Sequence, residues 1–148
     1  MSRYNGIYGP RQSTDLKKGS IIPVLIRRAM EFPKQEYKIL TQGQEKRAFC
    51  YIDDAINAIF LALKSKKTNG EIFNIGSGKP IKIKKVVTQI CKIIGKGKPQ
   101  FGKIKYRKNE NMTLYPKVEK ARIRLKWKPK IKFNFGIKIL LKSYKCQE

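Results

Sequence analysis

Few side chains in this sequence could do chemistry. None of the 148 residues is a histidine, which removes Ser–His and Cys–His nucleophile pairs and the commonest metal ligand together. Hydrolase readings lose most of their support. Three cysteines, Cys50, Cys91 and Cys146, are separated by 41 and 55 positions, a number and spacing that suit neither a disulfide framework nor a zinc site. They are expected to be reduced, two of them packed. The adjacent acids Asp53 and Asp54 stand just before an apolar helical stripe, where a short acid serves an N-cap or a first turn. They are read as caps and local anchors rather than as an acid–base pair. The run GSGKP (Gly76–Pro80) hints at a phosphate loop, but it lacks the G-x-x-x-x-G-K-[ST] spacing and has Pro80 where Ser or Thr is needed. A nucleotide triphosphate site is rejected.

Charge is the strongest compositional signal. The chain carries 35 basic and 10 acidic residues, a formal net charge of +25. Basic residues number 10, 10 and 15 in the successive segments 1–50, 51–100 and 101–148, so the excess is everywhere and heaviest at the end. A dedicated nucleic-acid reader concentrates charge on one element and favours arginine, whereas here 27 lysines face 8 arginines. That pattern predicts a solvated basic surface with nonspecific attraction to polyanions, which needs only the field of the charge. A basic nucleic-acid-binding module remains the alternative reading. The longest apolar runs, Ile21–Ile26 and Ala55–Leu63, fall far short of a membrane span, and no signal-peptide core is present. A cytoplasmic protein with no membrane partner is expected.

The elements that would position these groups follow from periodicity. Arg3–Tyr8 reads as a strand ending at Gly9-Pro10, and Ile21–Met30 as a helix that stops before Pro33. Tyr37–Leu40 and Arg47–Ile52 read as the two strands of a hairpin. Ile56, Ile59, Phe60 and Leu63 fall at i, i+3, i+4 and i+7, predicting a helix buried on that side. Glu71–Ile75 is a strand, and Val87, Ile90, Cys91 and Ile94 trace another helix, which makes Cys91 a core residue. Lys103–Arg107 is a candidate strand. A helix is expected to start at or near Pro116, with Val118, Ala121 and Leu125 inward, closed by Trp127 and Pro129. Asn134 is placed as the cap of a last helix that turns Ile137, Leu140, Leu141 and Tyr144 inward.

Five ordered blocks carry a resemblance: RYNGIYGP (Arg3–Pro10), GSIIPVLIRRA (Gly19–Ala29), QGQEKRAFCYIDDAINAI (Gln42–Ile59), GEIFNIGSG (Gly70–Gly78) and LKWKPKI (Leu125–Ile131). In this order they resemble the C-terminal half of the NAD-dependent epimerase/dehydratase family, the extended short-chain dehydrogenases that act on nucleotide sugars. The resemblance implies an α/β fold: the last Rossmann strand or strands with a small mixed α/β substrate-binding subdomain, without the N-terminal Rossmann core. Residues 1–148 are read as this single partial domain. It also implies site residues. Asn5 matches the asparagine that bonds the sugar or its diphosphate. Arg47 matches the arginine that grips the diphosphate, a task suited to a planar guanidinium meeting two phosphate oxygens. Arg107 stands where a second arginine closes over the ribose or phosphate, and Asn74 follows the apolar strand of the F-N-I-G block. Taken on its own, each has a plainer reading as a turn, strand-end or surface residue. The sequence departs from the family pattern at Lys117, where Asp is usual, and at Lys126, which replaces the Gly before Trp127.

The family's hydride chemistry, as the resemblance implies, needs NAD(P) and a Tyr-x-x-x-Lys pair that precede the first block. Tyr8 has Gln12, not Lys, four residues on. The chain is therefore expected to bind no cofactor by itself, to have no catalytic residue of its own, and to be inactive alone. It is read as a nucleotide-diphosphate-sugar binder that works with a separate N-terminal Rossmann half, as a truncated remnant, or as a half-domain reused for binding. A homo-oligomer is the other partner considered.

Overall fold

The computed structural model describes residues 2–15, 18–34, 37, 41–103, 105–106 and 108–145. The first apolar segment is split by Gly6 into β1 (Ser2–Tyr4) and β2 (Ile7–Tyr8). Gly6 takes φ 61°, and a β-carbon there would run into the carbonyl oxygen of Ala48. Only glycine lets the chain turn so close to another backbone. The single strand expected over Arg3–Tyr8 is thus two strands with different partners. β1 runs parallel to β5 (Phe73–Ile75), with Tyr4 opposite Ile75; β2 runs parallel to β4 (Cys50–Tyr51), with Ile7 opposite Cys50. In a third sheet, β3 (Lys46–Arg47) lies between β6 (Ile81–Lys82), antiparallel, and β7 (Thr113–Leu114), parallel.

Among the described residues, five α-helices cover these strands: α1 (Ile21–Glu31), α2 (Ile52–Lys64), α3 (Ile83–Ile94), α4 (Glu119–Arg124) and α5 (Phe133–Lys145). Ile22, Leu25 and Ile26 of α1 meet Val86, Val87 and Ile90 of α3 and Ile137 and Leu140 of α5 in one apolar cluster. Cys91, expected in the core, is partly buried and packs against the edge of this cluster. The helix stops where Gly95 adopts φ 76° and its N–H returns to the Cys91 carbonyl, the usual glycine C-cap. A second cluster joins Cys50, Ala55 and Ala58 to Phe73, Ile75, Ala121, Leu125 and Trp127. Among the described residues no helix is long and apolar enough to cross a membrane.

Several expectations are corrected. Arg47–Ile52 is not one hairpin strand: it divides into β3 and β4, which belong to different sheets, and Ile52 opens α2. Lys38–Leu40, most of the other hairpin arm, lie outside the described residues. The flanking backbone bonds go elsewhere, with Gln100 N–H donating to Tyr37 and Gly102 N–H to Thr41. Lys103, Lys105 and Tyr106 form no strand, while Ile104 and Arg107 lie outside the described residues. α4 starts at Glu119, three residues after Pro116. Asn134 is not a cap, because α5 already includes Phe133. The largest reversal concerns α2: Ile56, Ile59, Phe60 and Leu63 are exposed, and the buried positions are Asp54, Ala55 and Ala58. Small side chains win that face because they let the helix axis approach β2 and β4 closely.

Buried titratable groups predict an alkaline limit to stability. Burial, with Asp54 nearby, pushes the Cys50 thiol up to about 12. Burial also raises the hydroxyls of Tyr8 and Tyr37, which donate to the carbonyls of Phe133 (3.2 Å) and Leu25 (2.9 Å). The unfolded chain releases these protons at lower pH than the folded one. Stability should therefore be intact below about pH 9 and fall as pH rises towards 12, by up to about 1.4 kcal/mol per pH unit for each group. Urea unfolding midpoints at pH 8, 9.5 and 11 should decline in that order. A midpoint that stays constant to pH 11 would contradict this account.

Candidate functional site

The turn made by Gly6 brings two of the sequence-derived site residues onto neighbouring segments. Asn5 sits between β1 and β2, its N–H bonded to the Ile75 carbonyl at 3.1 Å. The Cys50 N–H donates to the Gly6 carbonyl at 3.0 Å. Arg47, at the end of β3, therefore stands one residue before Ala48, the residue on which Gly6 abuts, and Asn5 stands one residue before Gly6. Asn5 is half-buried, and among the described residues its side-chain amide has no partner within the chain. That leaves it available to a ligand.

Arg47 is held from two directions. Its Nη1 donates to the Lys46 carbonyl at 2.9 Å and its Nη2 to Glu110 Oε1 at 2.6 Å. The Arg47 and Glu110 side chains are 21% and 27% exposed, so the pair is neither fully dry nor freely solvated. A guanidinium has five N–H donors in a fixed fork, so both ties can hold its plane and still leave donors for an anion. The segment that bears Glu110 is fixed a second time: Tyr106 donates its hydroxyl proton to Glu45 Oε2 at 3.0 Å and accepts the Gln44 N–H at 3.2 Å. Glu110 and Tyr106 were not singled out from the sequence. Neither belongs to an apolar stripe or a turn signal, and the Arg47–Glu110 tie joins positions 63 residues apart.

Asn74 has a different task. It occupies the middle of β5 opposite Arg3, and its Nδ2 donates to the Lys117 carbonyl at 3.3 Å, tying the strand to the segment that leads into α4. Nothing in the structure brings it to Arg47. Arg107, the fourth sequence-derived site residue, lies outside the described residues.

The acids behave as anchors, with one change. Asp54 is buried, but its carboxylate does not cap its own helix. Oδ1 accepts the Lys130 N–H and Oδ2 the Ile131 N–H, both at 2.9 Å, while its carbonyl accepts the indole N–H of Trp127 at 2.9 Å. One aspartate thus fastens the LKWKPKI block to the start of α2. Tyr8 is buried with its hydroxyl on the Phe133 carbonyl, a position that serves packing. The glycine turn after β5 is equally structural. β-Carbons at Gly76 and Gly78 would meet Pro116 and Val118, and the Ser77 hydroxyl donates to the Lys79 carbonyl.

The sequence and the fold of this chain both match known proteins. The pattern of the NAD dependent epimerase/dehydratase family matches residues 1–76. The chain is 29% identical over 137 residues to the UDP-glucuronate 4-epimerase of Thermodesulfobacterium geofontis, covering 92% of this chain and 40% of that protein. It is 31% identical over 142 residues to the GDP-L-fucose synthase of Sinorhizobium fredii, covering 93% and 43%. The crystal structure of the Thermotoga maritima UDP-glucose 4-epimerase with UDP-glucose superimposes with a TM-score of 0.87 at 26% identity, over 99% of this chain and 45% of that one. The Bacillus cereus UDP-glucuronic acid 4-epimerase, in complex with UDP-glucuronic acid and NAD, superimposes with a TM-score of 0.84 at 29% identity over the same shares. The chain spans less than half the length of these relatives. Its α/β fold follows theirs almost from end to end, and the chain belongs to the NAD dependent epimerase/dehydratase family.

Proposed function

We propose that this chain is the C-terminal, nucleotide-sugar-binding part of an NAD-dependent epimerase or dehydratase, and that turnover requires the NAD-binding half of the fold as well. The observation that carries the binding role is Arg47, a half-buried guanidinium braced by the Lys46 carbonyl and the Glu110 carboxylate. In this reading it meets the diphosphate bidentately, and Asn5 on the adjacent segment bonds the sugar or diphosphate. Arg107 is assigned as a second cation for the ribose or phosphate. Asn74 contributes by holding β5 to Lys117, so its part in binding is indirect. The net charge of +25 raises the local concentration of any phosphate-bearing ligand.

NAD is assigned to residues outside this chain. The glycine turn that follows a strand here leads into β6, and it packs on Pro116 and Val118. A dinucleotide cradle instead needs a glycine turn running into a helix N-terminus with open backbone for the pyrophosphate. No hydride step is therefore assigned to these residues. The purified chain should bind one or more of UDP-, GDP-, CDP- and dTDP-sugars by calorimetric titration at moderate salt, with affinity that discriminates among them. Equal binding of every polyanion, collapsing with salt, would instead support the basic-module reading favoured by the charge.

A further inference from the structure

A cleft of about 940 Å³ opens where the loop after β2 meets the C-terminal ends of α1 and α5 and the turn after α3. Asn5, Arg47 and Asn74 do not line it, so it lies apart from the nucleotide-sugar site proposed above. Two polar atoms of residues in its wall are buried and unpaired: Oε2 of Glu31 and the hydroxyl of Tyr144. The other Glu31 oxygen, Oε1, accepts Arg27 Nε–H at 2.6 Å, and Arg27 Nη1 donates to the Thr14 carbonyl at 3.5 Å. The carboxylate is thus fixed in place with one oxygen left over. Burial raises the Tyr144 hydroxyl above the ordinary tyrosine range, so it keeps its proton and can donate. Buried polar atoms are almost always partnered, and two orphans on different helices lining one cleft mark a place for a partner from outside. The backbone adds a separate sign. Arg11, also in the wall, takes φ 63°, a region that a residue with a β-carbon enters at a cost and that is enriched at ligand sites.

The lining decides the class of ligand. Arg11, Arg27, Lys34 and Lys96 outnumber the two acids, Asp15 and Glu31. Lys34 and Lys96 are exposed, follow the ends of different helices, and have no ion-pair partner among the described residues. The surrounding charge favours an anion and opposes a cation. An ionised carboxylate only accepts hydrogen bonds, so the ligand must also bring Glu31 a donor; with ammonium groups opposed, that donor is a hydroxyl. A phosphate, with three terminal oxygens, suits cations supplied by three separate segments better than a carboxylate with two. We propose that this cleft binds a sugar phosphate, with its phosphate on Arg11, Lys34 and Lys96 and its hydroxyls on Glu31 Oε2 and the Tyr144 hydroxyl.

The test is calorimetric titration of the full chain, at one moderate salt concentration, with glucose 1-phosphate, glucose 6-phosphate, fructose 6-phosphate and mannose 6-phosphate. Inorganic phosphate, glucose and gluconate are the comparison ligands. At least one sugar phosphate should bind 1:1 and about tenfold more tightly than any of these three. Tyr144→Phe removes only an unpaired hydroxyl, so it should keep its melting temperature and weaken that binding about fivefold. The double variant Lys34→Gln, Lys96→Gln should weaken it about tenfold or more. Lys64→Gln, Lys128→Gln removes the same charge at exposed positions outside the cleft and should bind as the parent does, as should Arg47→Ala. If no sugar phosphate binds more tightly than inorganic phosphate, water alone fills the cleft or the basic field alone attracts anions, and the proposal is overturned. Preference for gluconate, full affinity in Tyr144→Phe, or equal losses in the two lysine pairs would also overturn it. Loss of affinity in Arg47→Ala would place the ligand in the nucleotide-sugar site instead. Because that site is probed through Arg47 and this one through Tyr144, the two readings stand or fall separately.

Discussion

Arg47→Ala is expected to weaken nucleotide-sugar binding by about 100-fold while leaving the fold intact. Two charge-assisted hydrogen bonds to phosphate oxygens contribute about 1.5–3 kcal/mol each, and every 1.4 kcal/mol is a factor of ten in affinity, so losing about 3 kcal/mol gives that factor. The Glu110 carboxylate left behind is 27% exposed and can be resolvated, which keeps the stability change small. Arg47→Lys separates charge from geometry. It retains the cation but not the planar fork, and should lose about tenfold. Calorimetric titration of the three proteins with the preferred UDP- or dTDP-sugar, at one fixed salt concentration, gives the comparison. If Arg47→Ala binds as tightly as the parent, the diphosphate is held elsewhere and the proposed site is wrong. If all three lose affinity equally when salt is raised, the basic field alone accounts for binding.

Asp54→Ala should be the most destabilising of the substitutions considered, by about 3 kcal/mol. It removes the buried, charged acceptor of two backbone N–H groups, those of Lys130 and Ile131, and hydrogen bonds to a charged group contribute about 1.5–3 kcal/mol each. For a chain of this size that corresponds to a fall in Tm of roughly 10 °C. Asp54→Asn keeps one acceptor oxygen but turns an NH2 group towards the other donor, so a loss of about 2 kcal/mol is expected. Thermal melts and urea midpoints of both variants check these values. Unchanged midpoints would mean that Trp127, whose indole bonds the Asp54 carbonyl rather than its side chain, docks the C-terminal block unaided.

Helices were the legible part of this protein because their signal is local. The periodic residues of α1, α3 and α5 mark those helices and, in α3 and α5, the inward side, with Ile90, Ile137 and Leu140 fully buried. Trp127 and the Leu125 stripe were equally readable, since each joins a core whose apolar character is written within a few residues. The five-block order was sufficient for the family, because it depends on residue identity and not on contact.

What the sequence by itself could not determine is which surfaces meet. Strand partners are chosen by backbone geometry at distant positions: Gly6 against Ala48 divides one apolar run between two sheets, and Arg47 pairs with strands that arrive 34 and 67 residues later, at Ile81 and Leu114. The helical stripe of α2 was read correctly as helical and wrongly as inward. Periodicity reports that a face is apolar, whereas burial depends on what the rest of the fold sets against it, and here Ala55, Ala58 and the anchored Asp54 take the inner side. Among the proposed site residues, Asn5 and Arg47 are assigned by motif. The brace from Glu110 and the structural tie of Asn74 to Lys117 exist only in three dimensions, because each is a hydrogen bond across more than 40 residues of chain.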